Sequence, residues 1–201
     1  MGGAVDDPVA RIVFYAVIGC WCVFLVTFAL RGRRSKSRET KRDWTAMIGF
    51  FLQAAGYFAV WVSPLQRKQF SAIVAMPRPT EVVLGVLTVA LAAASVWLVN
   101  AAARRLGKQW ALAARLVEGH ELITDGPYCW VRNPIYTGMF GLLLATGLAM
   151  SRWTTLVAAA LVFAAGTLIR VRSEEKLLLQ AFGAGFEEYA RKVPALIPGI
   201  Y

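Results

Sequence analysis

Charge is scarce in this chain. Of its 201 residues only 17% are Asp, Glu, Lys or Arg, while 58% are hydrophobic; a soluble globular domain carries about 25% charged residues. Histidine occurs once, and no Cys or His pair has metal-ligand spacing, which excludes the common zinc sites and leaves no metal implied. Cysteine occurs three times. Cys20 and Cys22 fall inside an apolar block and Cys129 on a face read below as cytoplasmic, where thiols stay reduced, so all three read as packing residues. Acidic residues number 12 against 22 Lys and Arg, a net charge of +10. That balance can mark a nucleic-acid binder. Here the basic excess sits in the connections between apolar blocks, where anionic lipid attracts it, so the partner it implies is the bilayer and not nucleic acid. Internal repeats and low-complexity linkers are also lacking.

What the chain does have is long apolar runs. A membrane-spanning helix needs roughly 20 mostly apolar residues. Five blocks qualify or nearly so: Val9 to Leu30, Trp44 to Ser63, Thr80 to Ala103, Pro134 to Met150 and Thr154 to Ile169. Arg11 and Glu81 lie near block ends, where a charged head reaches the interface. The last two blocks are short and separated only by Ser151-Arg152-Trp153, the pattern of a tight helical hairpin with Trp153 at the interface. The first block does not read as a cleaved signal peptide: its start is acidic (Asp6, Asp7) and its basic run follows the apolar stretch.

Lys and Arg counts orient the bundle. The successive connections 31–43, 64–79, 104–133, the hairpin tip and the tail from Arg170 hold 7, 3, 5, 1 and 5. Five spans with that alternation place the N-terminus outside and the C-terminus in the cytoplasm. The expected fold is an all-α integral membrane protein with about five transmembrane helices and a cytoplasmic, amphipathic helical tail.

One membrane domain has two parts of different character. Residues 1–103 read as a three-span scaffold; residues 104–201 interleave polar segments with two short spans, and polar residues near membrane depth need a reason. Segment 64–79 carries Pro64, Pro77 and Pro79, which forbid a long regular helix; it reads as an interfacial loop or short helix on the outer face. In the tail, Leu178, Phe182, Phe186 and Tyr189 recur near helical spacing. They fit either a helix lying on the membrane surface or a lid over a cytoplasmic site.

The informative stretch is 119–138. Asp125-Gly126-Pro127 is a turn signal. Pro134 restricts Asn133 and suits the first turn of the fourth span, so Arg132, Asn133 and Tyr136 gather at its cytoplasmic mouth. The short hairpin returns Arg170-Val171-Arg172-Ser173-Glu174-Glu175 to the same face. A guanidinium, an amide and a phenol thus oppose two carboxylates at the membrane boundary. A zwitterionic ligand would use such a site, since charged groups near a low-dielectric region must be paired. Equally, Arg132 could hold lipid phosphate while the glutamates pair with Arg170 and Arg172.

These residues resemble the signature of the isoprenylcysteine carboxyl methyltransferase family and its phospholipid methyltransferase relatives. The matching pieces, in order, are Leu106-Gly107-Lys108-Gln109-Trp110, His120-Glu121-Leu122-Ile123, Gly126-Pro127-Tyr128, Arg132-Asn133-Pro134-Ile135-Tyr136 and Glu174-Glu175. Phe182-Gly183, Phe186, Tyr189 and Ile197-Pro198 follow in the tail. Residues 1–103 share only their hydropathy with that family. One position departs: the family carries His where this chain has Asn133, an amide that can donate a hydrogen bond but cannot carry charge.

The resemblance implies methyl transfer from S-adenosyl-L-methionine to a lipid-soluble acceptor, the carboxyl O-methyltransferase being favoured. It implies that Arg132, Asn133 and Tyr136 take the methionine carboxylate and that Glu174 or Glu175 takes the ammonium. His120, Leu122, Ile123, Gly126 and Tyr128 would line the cofactor pocket, and Arg132 and Glu175 would serve catalysis. A carboxylate acceptor needs no general base; an amine acceptor would call on Glu175 or His120. Two other readings remain at this stage. One is an NADPH-dependent reductase on a similar scaffold, with Lys108, Arg115 and Arg132 meeting the 2′-phosphate. The other is a non-catalytic lipid-binding relative.

Overall fold

A computed structural model describes residues 8–34, 39–42, 44–62, 77–109, 115–117, 119 and 121–197. Among the described residues six α-helices carry the fold: α1 (Pro8–Arg34), α2 (Thr45–Val62), α3 (Arg78–Leu106), α4 (Pro134–Met150), α5 (Trp153–Phe182) and α6 (Ala184–Lys192). Helices α1, α2, α3 and α5 are long and apolar enough to cross a membrane, and α4 is a shorter apolar helix of 17 residues. The five apolar blocks therefore become the first five helices of a helical membrane fold.

Two elements differ from the sequence expectation. Helix α5 does not stop at Ile169; it runs unbroken for 30 residues, about 45 Å at 1.5 Å per residue. That exceeds the ~30 Å hydrocarbon core, so its C-terminal turns, with Glu174 and Glu175, stand beyond the apolar stretch. The expected tail helix is thus two pieces, the end of α5 and a separate α6, broken at Gly183, whose φ of +50° suits only glycine. The second addition is a two-stranded antiparallel ribbon, β1 (Glu39–Arg42) with β2 (Arg115–Val117). It ties the first basic connection to the third. Of the proline-rich segment 64–79, only residues 77–79 are described: Pro77 precedes α3, and Pro79 lies in its first turn.

Packing is set by apolar contact and small residues. Val13, Val17 and Phe24 of α1 share a core with Val96, Val99 and Leu142 of α3 and α4. Val60, Leu143, Ala159 and Phe163 form a second core among α2, α4 and α5. Helices α2 and α5 approach at glycines: a Cβ on Gly166 would stand 2.6 Å from the Gly49 carbonyl oxygen, and one on Gly56 2.9 Å from that of Ala159. Small residues at such crossings let backbones come together where lipid supplies no hydrophobic drive.

The polar residues gather at one end of the bundle. Ala46, at the start of α2, packs on Leu177 of α5. Phe186, Tyr189 and Val193 of α6 and its exit pack against Leu122, Leu178 and Phe182. Helix α6 is therefore held over the end of the bundle by its apolar face.

Candidate functional site

The strongest organiser at this end is the chain's own tail. After α6 the backbone runs alongside the Arg132-Asn133 segment: Arg132 N donates to the Pro194 carbonyl (2.8 Å) and Asn133 N to that of Ala195 (3.1 Å). Side chains reinforce the contact. The Asn133 amide donates to the Ala195 carbonyl (3.0 Å) and the Thr137 hydroxyl to that of Leu196 (2.6 Å). Arg132 does most. Its Nη1 donates to the carbonyls of Ala190 (2.7 Å) and Val193, while Nε and Nη2 each meet Glu175 Oε1 at 2.9 Å. Arg132, Asn133 and the tail thus form one clasp.

Deeper lies a second polar network, between α2, α4 and α5. Arg170 is only 5% exposed and Gln53 2%. Arg170 Nε donates to the Tyr136 hydroxyl (2.9 Å), and Nη1 to Gln53 Oε1 (3.2 Å). Tyr136 in turn donates to Glu174, and Gln53 Nε2 donates to Thr167 Oγ1 (2.8 Å). The guanidinium also lies near two ring faces, 5.1 Å from the Tyr136 centroid and 5.8 Å from that of Phe50. A buried cation and a half-buried carboxylate are joined through one phenol. This satisfies groups that would each be costly alone at this depth.

Between the two networks is a cavity of about 330 Å³. Its outer part is lined by Leu122, Ile123, Tyr128, Arg132, Glu175 and Tyr189, and its middle by Asn133, Tyr136, Arg170 and Glu174. Its inner part is aromatic and apolar, with Trp21, Phe24 and Phe28 of α1 facing Phe50 and Tyr57 of α2. The first two helices therefore contribute a wall of the cavity as well as support.

Eight of the ten site residues read from sequence line this one cavity: Leu122, Ile123, Tyr128, Arg132, Asn133, Tyr136, Glu174 and Glu175. Gly126 does not; it is exposed, and its φ of +60° makes the turn that presents Tyr128. His120 lies outside the described residues. Of the three cations that could meet a 2′-phosphate, Arg132 is paired with Glu175, and the side chains of Lys108 and Arg115 lie outside the described set. Sequence reasoning missed Gln53 as a site residue and weighed Arg170 only as a partner for the glutamates. A lone amide in an otherwise apolar span was the available signal for Gln53.

Two features hold the outer wall. Arg105 of α3 grips Asp125 with both Nε and Nη2, fixing the turn that carries Tyr128; these hydrogen bonds keep the Asp125 carboxyl below the ordinary carboxylate range. Tyr189 donates its hydroxyl to the Tyr128 carbonyl (2.6 Å). Burial pushes both phenols above their usual range, so each stays neutral.

The sequence profile of the phospholipid methyltransferases matches residues 81–185. The chain belongs to that family. The matched part of this phospholipid methyltransferase relative begins in α3 and ends just inside α6, so it takes in the turn at 126–129 that carries Tyr128, both polar networks' α4 and α5 residues and the Glu174-Glu175 pair. Among curated proteins, it is 34% identical over 87 residues to the protein-S-isoprenylcysteine O-methyltransferase of Schizosaccharomyces pombe, 43% of this chain and 37% of that one. It is 30% identical over 162 residues to the cobalt-zinc-cadmium resistance protein CzcN of Cupriavidus metallidurans, 77% of this chain and 62% of that one. The matches thus span less than two thirds of either relative. The fold resembles that of a eukaryotic intramembrane Ras methyltransferase, isoprenylcysteine carboxyl methyltransferase, with a TM-score of 0.51 and 18% identity over 98% of this chain and 88% of that one. That likeness extends the shared fold to α1 and α2, which the sequence alone tied to the family only by hydropathy.

Proposed function

We propose that this chain is a membrane methyltransferase that takes its methyl group from S-adenosylmethionine and places it on the carboxylate of a lipophilic acceptor. The observation that carries the reading is the single cavity that passes from a charged, tail-covered mouth to an aromatic interior. S-adenosylmethionine, when bound, supplies a methyl group on a cationic sulfur that is transferred by displacement.

The residues present fit that group. Its ammonium needs an anion, and Glu175 has one to offer: both of its bonds to Arg132 use Oε1, and among the described residues Oε2 makes no hydrogen bond. Glu174 lines the same stretch of cavity. Leu122, Ile123 and Tyr128 offer an apolar and aromatic wall for the adenosyl part. In this reading Arg132 and Asn133 bear on the cofactor chiefly by holding the tail over it, with Tyr136 holding Glu174 in place. Arg170 supplies positive charge where the polar and aromatic parts meet, the right sign to receive an acceptor carboxylate. A carboxylate is already the nucleophile, so no proton has to be removed and no general base is required. Residues 104–201 then form the donor end, and residues 1–103 add the apolar wall for the acceptor. The Lys and Arg counts support a cytoplasmic mouth and an external N-terminus.

Isothermal titration of the purified protein with S-adenosylhomocysteine tests the reading. Binding that weakens in Glu175→Ala is expected. No binding by the intact protein sinks it.

A further inference from the structure

The inner end of the cavity lies deep in the bundle. Trp21 is 13 residues from the end of α1, and Tyr57 and Thr146 are each 12 residues from the starts of α2 and α4. At 1.5 Å per residue all three stand about 18–20 Å from the polar face. Trp21, Phe24 and Phe28 recur at i, i+3 and i+7, one face of a helix, and all three line the cavity. Phe28 and Phe50 flank its shallower part, about 8–9 Å in by the same count.

At the deep end the aromatic side chains are fixed in place. The Trp21 indole donates its Nε1 hydrogen to Thr146 Oγ1 (2.9 Å), and Thr146 is itself fully buried and bonded to the Leu142 carbonyl. The Tyr57 hydroxyl donates to the Met139 carbonyl (2.7 Å). The Trp21 ring stands edge-on to Tyr57 (4.9 Å between centroids) and to Trp61 (5.5 Å). Trp61 is one turn beyond Tyr57, does not line the cavity and is part exposed on the bundle surface. The Trp21 ring is therefore the partition between the chamber and the next turn of α2.

We infer that Trp21, pinned to Thr146 and wedged against Tyr57 and Trp61, is the stop that sets the longest apolar chain this enzyme accepts. The inference rests on the methyltransferase reading and deepens it. The occupant it commits to is a linear prenyl chain whose carboxylate end lies at Arg170. The chamber continues directly from the donor end of the same cavity, so a chain that reaches inward from the reacting carboxylate must run toward Trp21. Selection by length then follows from a held wall, because a side chain tied at its polar edge to Thr146 and braced edge-on by Tyr57 and Trp61 swings aside less readily than a free one.

The test uses the full chain in detergent with N-acetyl-S-geranyl-, S-farnesyl- and S-geranylgeranylcysteine as probes. Two readouts are taken: kcat/KM for methyl transfer, and the rise in melting temperature that each probe gives the S-adenosylhomocysteine complex. Trp21→Ala should raise the preference for the longest probe over the next by about tenfold or more, in line with what a few methylenes are worth in an apolar pocket. Trp21→Phe, which keeps the fold with a smaller ring, should move it the same way by less. Ala54→Phe, on the cavity wall nearer the face, should move it the opposite way. Unchanged preferences in all three variants overturn the inference. So does a wild-type complex that binds S-adenosylhomocysteine but responds to none of the probes. Loss of S-adenosylhomocysteine binding refutes the methyltransferase reading instead. In that case the probes are added to the protein alone, and a length limit on their stabilisation that still moves with Trp21 supports the stop on its own.

Discussion

Replacing Arg132 by alanine should undock the tail before it does anything else. In the folded protein this guanidinium donates to the carbonyls of Ala190 and Val193 and pairs with Glu175. A hydrogen bond from a charged donor contributes about 1.5–3 kcal/mol. The Arg132 side chain is 14% exposed, so the lower end applies, and the two tail carbonyls together lose about 3 kcal/mol. At 1.4 kcal/mol per tenfold, that shifts the docked–undocked equilibrium of the tail about a hundredfold toward undocked. Hydrogen exchange reads it directly: amide protection over residues 184–196 should fall by about that factor, while amides in the apolar halves of α3 and α4 keep theirs. Arg132→Lys should recover only part, because one ammonium cannot span Glu175 and two carbonyls as a planar guanidinium does. If protection over 184–196 is unchanged in Arg132→Ala, the clasp is not what holds the tail, and the assignment of Arg132 as a positioning residue fails.

Asn133→Leu should loosen the same segment more mildly, by about 1 kcal/mol for one neutral hydrogen bond, and Asn133→His should keep the tail docked if its ring can reach the Ala195 carbonyl; exchange at 193–196 separates the two. Arg170→Met should destabilise the bundle by about 3–5 kcal/mol, since it strands Glu174 and the Gln53 oxygen, and adding Glu174→Gln should return part of that loss in a double-mutant cycle read by thermal unfolding. The Arg105–Asp125 grip gives a pH signature. The Asp125 carboxyl is lowered in the folded state, so its contribution is present above the ordinary carboxylate pKa and is lost as pH falls through the folded value. Asp125→Asn should therefore remove a step from the acid side of the stability profile and leave the neutral side flat, and a step that survives the substitution belongs to another group. Gly166→Val should separate α2 from α5, because its Cβ would collide with the Gly49 carbonyl, and the loss should show as a lower melting temperature with S-adenosylhomocysteine bound or absent.

How much of this was legible beforehand depends on which force sets each feature. Burial in lipid is written in composition, so the five apolar blocks mark the five long helices, and α4 spans Pro134–Met150 as read. The end of α5 was not legible. Hydropathy stops at Ile169, but the helix goes on because Arg170 and Glu174, one turn apart, are both satisfied through Tyr136; pairing between helices leaves no mark in a hydropathy window. At the site, the opposition of Arg132 to Glu175 followed from the short hairpin and is present as an ion pair. The partners that the reading could not supply are the carbonyls of Ala190, Val193 and Ala195. Backbone oxygens carry no residue code, so a sequence cannot show that an arginine is already engaged. The aromatic spacing on α1 was visible as residues, yet in a span a ring facing lipid and a ring facing a cavity look alike.

The dual use of these residues governs what any activity measurement on them can mean. Arg132 and Asn133 line the cavity and also hold the tail that covers it. A substitution at either removes wall and cover together, so a fall in methyl transfer would follow whether or not the side chain touches a cofactor. The same holds for Tyr136, whose hydroxyl both faces the cavity and joins Arg170 to Glu174. Glu175 differs in one respect: only Oε1 is engaged by Arg132. Glu175→Gln keeps an oxygen for that contact while replacing the second oxygen with a donor amide. If Oε2 receives an ammonium, this variant should keep most of the tail's exchange protection and still lose S-adenosylhomocysteine affinity by about tenfold or more, the worth of one charge-assisted bond. Protection and affinity falling together would place Glu175 in the clasp alone, and would leave Glu174 as the carboxylate that meets the ligand.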